Sequence, residues 1–260
     1  RITSGRDLYR SPEICSQWRH MINGNRILAW CVHAYTALGL VVAALMAVLI
    51  VQGGEEQLQT VLLLVLVSLA IDSTDGWFAR KLGVADHVPE IDGRRLDDII
   101  DFHTYTSLPL LLIWRSGLLS AGTAWVLLVP LVASIFGFSH ADAKTEDHYF
   151  LGFPSYWNVI ALYAVLLQPA PPVLLGAVLL FSALTFIPSK YLHTSHPGRL
   201  SLPTNVAGVL WGLLMIAILT GPLQTEGWIL VSLAFPLYYL VASWVVTLGE
   251  WRQGRRTVGG

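Results

Sequence analysis

The sequence predicts an all-α protein, a polytopic membrane bundle of about eight transmembrane helices with an N-terminal helix lying in the membrane interface. Three observations lead there. Hydrophobic residues make up 54% of the 260 and charged residues only 13%, against about 25% charged in soluble domains. The apolar residues fall into stretches that cross or nearly cross a bilayer, divided by polar, proline or glycine breaks. Lys and Arg collect in alternate loops, as the positive-inside rule asks of a multi-pass chain.

In chain order, residues 1–26 form a polar cytoplasmic and interfacial segment carrying Arg1, Arg6, Arg10, Arg19 and Arg26. Ser11 and Pro12 read as an N-cap and first helical position. Leu8, Cys15, Trp18 and Ile22 then share one side, which predicts a short interfacial helix acting mainly as a topological anchor. Residues 27–248 form the transmembrane domain. Its spans are expected at 27–51, 58–80, 95–115, 118–139, 154–168, 171–188, 204–220 and 227–248. The fifth and sixth are short and need tilt or local thinning of the bilayer; QPAPP divides them. Residues 249–260 are a cytoplasmic tail.

With the N-terminus inside, every one of the 16 Lys and Arg residues except Arg115 falls on the cytoplasmic side. Both termini and the loop between Lys81 and Arg95 are therefore expected in the cytoplasm. Cys15 and Cys31 are the only cysteines, and Cys31 lies in the first span, so neither a structural disulfide nor a cysteine-rich zinc site is expected. Nothing in a net charge of −1 points to nucleic acid.

One stretch stands apart from this scaffold. Asp72, Asp75, Gly76 and Ala79 share a helical face at i, i+3, i+4 and i+7, and Asp97 and Asp101, four apart, share a face of the next helix. Both pairs border apolar runs. A carboxylate at the centre of a membrane helix costs about 2.5–3.5 kcal/mol on the lenient insertion scale. Solvated interfacial acids would explain one such residue; four at helical spacing, with Gly76, Gly93 and Arg80 beside them, point to a site. Carboxylates without cysteines or metal-spaced histidines suit hard divalent cations, Mg²⁺ or Mn²⁺, bound together with phosphate oxygens. Gly76 and Gly93 let a phosphorylated ligand approach the backbone, and Arg80 can pair with it. Such parts support phosphoryl transfer, with one carboxylate free to take a proton from the attacking hydroxyl.

The run Asp72-x2-Asp75-Gly76-x2-Ala79-Arg80-x12-Gly93-x3-Asp97-x3-Asp101 resembles the complete signature of the CDP-alcohol phosphotransferase family. The resemblance implies transfer from a CDP-activated lipid or alcohol to a hydroxyl acceptor with release of CMP. It also implies two Mn²⁺ or Mg²⁺ ions, a homodimer and a cytoplasm-facing active site in a helical bundle. Carried over by position, Asp72, Asp75, Asp97 and Asp101 would hold the metals and Asp101 would be the general base. Gly76, Ala79, Arg80 and Gly93 would line the CDP pocket, and Thr36 is a further candidate for the diphosphate.

Along most of its length, through VHAYTALGL, EIDGRRLDDIIDFHTY, GFPSYWNVIALY and KYLH, the chain is similar to the bacterial branch that condenses CDP-diacylglycerol with choline. That implies an inner (cytoplasmic) membrane enzyme. Choline's trimethylammonium needs aromatic faces and negative charge. Tyr35, Trp77, Tyr105, Tyr149, Tyr156, Trp157 and Tyr191 are candidates, with Trp77, Tyr105 and Tyr191 carried forward. Serine, glycerol phosphate or inositol phosphate are alternative acceptors; the phosphorylated ones would call for basic residues such as Lys190 and Arg199. An ion-coupled transporter using the four aspartates is the reading from another class, disfavoured because the acids sit toward one membrane face and no inverted repeat is visible.

Overall fold

The computed structural model describes residues 24–140, 149–192 and 200–258. The expected interfacial helix ending at Ile22 lies outside these residues, as do Lys144, His193 and Arg199.

Two long helices, α1 (Gly24–Gln52) and α2 (Glu55–Lys81), form an antiparallel hairpin. They turn at Gly53 and Gly54, whose φ of 69° and 106° lie in the region that only glycine enters cheaply. Glu55 and Glu56 open α2 while Arg80 and Lys81 close it, so both ends complement the helix dipole. Helix α3 (Gly93–Asp101) starts at an Asp92 cap, whose side chain accepts from the Arg95 N–H at 3.1 Å. It runs into a π-helical turn (Phe102–Ser107) and on into α4 (Leu108–Arg115).

A 3₁₀ turn at Ala124–Leu127 leads into α5 (Leu128–Ser139), followed by strand β1 (Tyr149–Leu151), α6 (Trp157–Leu167) and α7 (Pro171–Leu184). Strand β2 (Lys190–Leu192), α8 (Ser201–Leu219), α9 (Glu226–Ser232) and α10 (Ala234–Val258) complete the described chain.

The fold is mostly helical, as expected, and multi-pass. Among the described residues, Gly24–Gln52, Glu55–Lys81, Ser201–Leu219 and Glu226–Arg252 are each long and apolar enough to cross a membrane; Ala124–Ser139, Trp157–Leu167 and Pro171–Leu184 are shorter apolar helices.

Side-chain placement follows the lipid environment. On α1 the buried residues are mostly small or polar, among them Ala29, His33, Thr36, Gly39 and Ala43, while Ile27, Leu28, Leu38, Val41, Leu45 and Val48 face outward. A helix that is apolar all round with small residues inward packs closely against its neighbours and leaves bulky side chains to lipid.

An antiparallel ribbon departs from the expected all-α class, pairing Tyr149 with Leu192, Phe150 with Tyr191 and Leu151 with Lys190. Three residues per strand are too few to leave an alternation signal in sequence. The ribbon is joined to α10 by side chains spaced four apart on one helix face. Tyr239 donates to the Leu192 carbonyl at 2.8 Å, Ser243 accepts from the Leu192 N–H at 3.2 Å, and Thr247 accepts from the Lys190 N–H at 2.8 Å. These side chains give β2 the partners that a further strand would supply.

Candidate active site

Helices α1, α2 and α3 bring the aspartates together. Asp72 sits on α2 and Asp97 and Asp101 on α3, and each offers a carboxylate oxygen within 4.8 Å of the others'. Asp75, one turn beyond Asp72, is only 5% exposed, with Thr36, the Gly76 N–H and Asp97 against its carboxyl and Arg80 within electrostatic reach. The four motif aspartates thus adjoin one narrow cleft, lined also by Thr36, Gly39, Ser68, Ile71, Ile100 and Thr104.

This donor set fits a hard divalent cation. Three carboxylates converge with a fourth, Asp75, beside them, cysteine is absent from the lining, and the remaining polar side chains are hydroxyls. Closely spaced carboxylates repel one another in a membrane interior, and a cation between them removes that repulsion. The cluster can hold a metal ion.

The expected nucleotide-side residues fall around the same helices. The Arg80 guanidinium folds back over Gly76, so that a Cβ there would lie 3.1 Å from Nη1. At Gly93 a Cβ would lie 3.2 Å from His33 Cε1, so the start of α3 sits directly on α1. Ala79 packs on a small apolar cluster of Ala29, Val32, Val84 and Val88.

The three carried-forward aromatics separate. Tyr105, 6% exposed, donates from its hydroxyl to Asp72 Oδ2 at 2.5 Å. Trp77 does not join it: it is half exposed, two residues around α2 from Asp75, with the Lys81 Nζ 4.3 Å from its ring centroid. Its cation-binding face already has a cation. Tyr191 is fully buried in the ribbon and lies against Tyr239, with ring centroids 6.5 Å apart and 24° between planes. Burial pushes its phenol up from the ordinary value, opposed by Ser189 and Trp244, so it stays protonated.

Between Tyr105 and Tyr191 the structure inserts Tyr156 and Tyr239. Ring centroids are 5.8 Å apart for Tyr105–Tyr156 and 5.5 Å for Tyr156–Tyr239. An aromatic series therefore leads from Asp72 to the ribbon. Lys190, a candidate for binding a phosphorylated acceptor, instead pairs with Glu250 at 2.8 Å and lies 5.3 Å from the Tyr149 ring centroid. Gly39, Ser68 and Thr104 are lining residues the sequence reading passed over. Each lies three or four positions from a named site residue, namely Thr36, Asp72 or Asp101, and that helical spacing was the available signal. Nothing in the sequence marks Tyr239.

Residues 32–188 match the family model described as CDP-alcohol phosphatidyltransferase. A phosphatidylcholine synthase of Pseudomonas aeruginosa is 34% identical over 242 residues, covering 90% of this chain and 96% of that protein. Its counterpart in Borreliella burgdorferi is 33% identical over 220 residues, covering 84% and 93%. The phosphatidylcholine synthase of Rhizobium meliloti is 30% identical over 227 residues, covering 85% and 92%.

Proposed function

The chain belongs to the CDP-alcohol phosphatidyltransferase family, and from that premise we propose that it condenses CDP-diacylglycerol with choline to give phosphatidylcholine and CMP. The observation that carries the choline assignment is the placement of buried Tyr105 on Asp72, with further tyrosine rings behind it and Lys190 already neutralised. Aromatic faces beside carboxylates favour a quaternary ammonium. A phosphorylated acceptor would need free basic groups in the same place. The relatives' names point the same way.

Asp72, Asp75, Asp97 and Asp101 would hold two divalent ions, Mn²⁺ or Mg²⁺. When bound, these supply positive charge that offsets the diphosphate and the developing charge on CMP. Thr36, Gly76, Ala79, Arg80 and Gly93 would line the CDP pocket, the small residues admitting the diphosphate close to the backbone and Arg80 pairing with it. Asp101 takes the proton from the choline hydroxyl. The choline oxygen then bonds to the phosphorus that carries diacylglycerol, the bond from that phosphorus to the CMP oxygen breaks, and CMP leaves with the electron pair. Tyr105 donates to one oxygen of Asp72 and so orients that carboxylate as a ligand.

In this reading the chain crosses the bacterial inner membrane eight times, with the continuous helix from Gly93 to Arg115 as the third crossing. Residues 1–26 and 249–260 are cytoplasmic, residues 27–248 are the catalytic bundle, and the working form is a homodimer. Placing the carboxylates at the cytoplasmic ends of the second and third spans lets a soluble nucleotide headgroup and a lipid tail reach one site together. The test is incubation of purified protein with labelled choline, Mn²⁺ and CDP-diacylglycerol. Labelled phosphatidylcholine should form only when CDP-diacylglycerol is present, and a failure to form it under those conditions contradicts the assignment.

A further inference from the structure

We propose that Tyr156, backed by Tyr239, forms the wall on which the acceptor's quaternary ammonium rests and so selects choline; this deepens the choline reading and depends on it. Tyr156 sits between Tyr105 and Tyr239, with ring planes inclined 41° to the first and 67° to the second. Rings at such angles do not form a flat stack; they turn faces in different directions, as an aromatic cage requires. Tyr105 and Tyr239 are 6% and 7% exposed, whereas Tyr156 keeps an accessible surface. It is therefore the least buried ring of the three.

Proximity favours the same placement. Tyr156 lies within electrostatic reach of both Asp72 and Asp101, so its ring borders the reacting centre while its quadrupole attracts a cation. Choline carries its ammonium two carbons from its hydroxyl. In this proposal that two-carbon reach brings the hydroxyl to the aspartates while the ammonium rests on Tyr156.

Tyr239 acts through Tyr156 as a positioning residue. Its hydroxyl donates to the Leu192 carbonyl at 2.8 Å, and Ser243 holds the N–H of the same residue at 3.2 Å. The ribbon and α10 thus lock Tyr239 in place, and Tyr239 limits where the Tyr156 ring can turn. This gives the β-ribbon a reason to exist in an otherwise helical protein: it anchors the far side of the acceptor wall.

The experiment compares steady-state kinetics of the full-length wild type, Tyr156→Phe and Tyr156→Leu in the same lipid mixture, varying choline and CDP-diacylglycerol separately. Tyr156→Leu should raise KM for choline by about tenfold with KM for CDP-diacylglycerol within about twofold, and Tyr156→Phe, which keeps the ring, should stay within about threefold for both. A series of fluorinated phenylalanines at position 156 covers the case in which Tyr156→Leu does not fold. Choline KM should climb with each added fluorine, because fluorine withdraws the ring's negative face while changing its shape little. A choline KM that is flat across the fluorine series, or a Tyr156→Leu variant that loses kcat with its choline KM unchanged, overturns the wall. A wild type that makes CMP with another acceptor and none with choline overturns the choline reading as well, and is told apart by the wild-type arm alone.

Discussion

The Tyr105 hydroxyl donates to Oδ2 of Asp72 at 2.5 Å, tying the π-helical turn after α3 to the first aspartate of the motif on α2. An outer partner that orients a metal-site carboxylate typically contributes about 10–100-fold to metal affinity or activity. Tyr105→Phe, which keeps the ring and removes the bond, should therefore shift the Mn²⁺ titration of CMP release to higher concentration by about tenfold. Excess metal should restore most of the rate. An unchanged titration would mean that Asp72 is oriented by other contacts.

Asp101→Asn keeps an oxygen that can ligate but cannot accept a proton at neutral pH. The expected loss in kcat is about 10²–10⁴-fold, the usual worth of a general base, with CDP-diacylglycerol binding retained within a few-fold. Asp98→Asn is the internal control. Asp98 is on the same helix but outside the cluster, facing Arg94 at 3.8 Å across an i,i+4 pair that is exposed at Arg94 and partly exposed at Asp98. Its substitution should change kcat less than about twofold, since such surface pairs contribute little.

Close approach of α1 and α3 depends on Gly39. A Cβ there would lie 2.7 Å from Ile100 Cγ2, so Gly39→Ala should lower stability by about 1–3 kcal/mol through overpacking. Both residues line the cleft, and activity should fall with stability as the aspartates of α3 are pushed away from Asp72. In an Ile100→Ala background Gly39→Ala should cost less than it does in the wild type, read from a thermal-shift double-mutant cycle. Simple additivity of the two substitutions would show that the contact is not the cause.

Thr247 both accepts from the Lys190 N–H at 2.8 Å and donates to the Lys190 carbonyl at 3.1 Å, and it is 1% exposed. Thr247→Val removes this partner of the β2 backbone and should lower stability by about 1–3 kcal/mol. Thr247→Ser keeps the hydroxyl and should lose less than half of that, read from the midpoint of detergent-solubilised thermal unfolding.

The aspartate centre was legible in the sequence because its information is local. Asp72 and Asp75, and Asp97 and Asp101, fall at helical spacing within 30 residues, and their cost in an apolar setting singles them out as candidates. The long spans were legible for the same reason, since α1 and α2 each carry an unbroken apolar run. The acceptor side was not. Tyr156 and Tyr239 meet through tertiary packing across 83 positions, and a tyrosine in a membrane protein looks alike in sequence whether it lines a pocket or sits in the interfacial belt. The π-helical turn that carries Tyr105 was equally hidden, because FHTYTS has no composition that separates a π turn from an α turn. Trp77, adjacent to Gly76 in sequence, lies outside the lining of the aspartate cleft, because one residue along a helix is about 100° around it.

Acceptor identity carries the account, and the most direct measurement is CMP release by the purified full-length protein with CDP-diacylglycerol and Mn²⁺. Choline, ethanolamine, serine, glycerol phosphate and inositol phosphate are supplied one at a time. The account predicts CMP release with choline, matched mole for mole by phosphatidylcholine and abolished by chelating the metal. Release with serine or a phosphorylated acceptor, and none with choline, would contradict it.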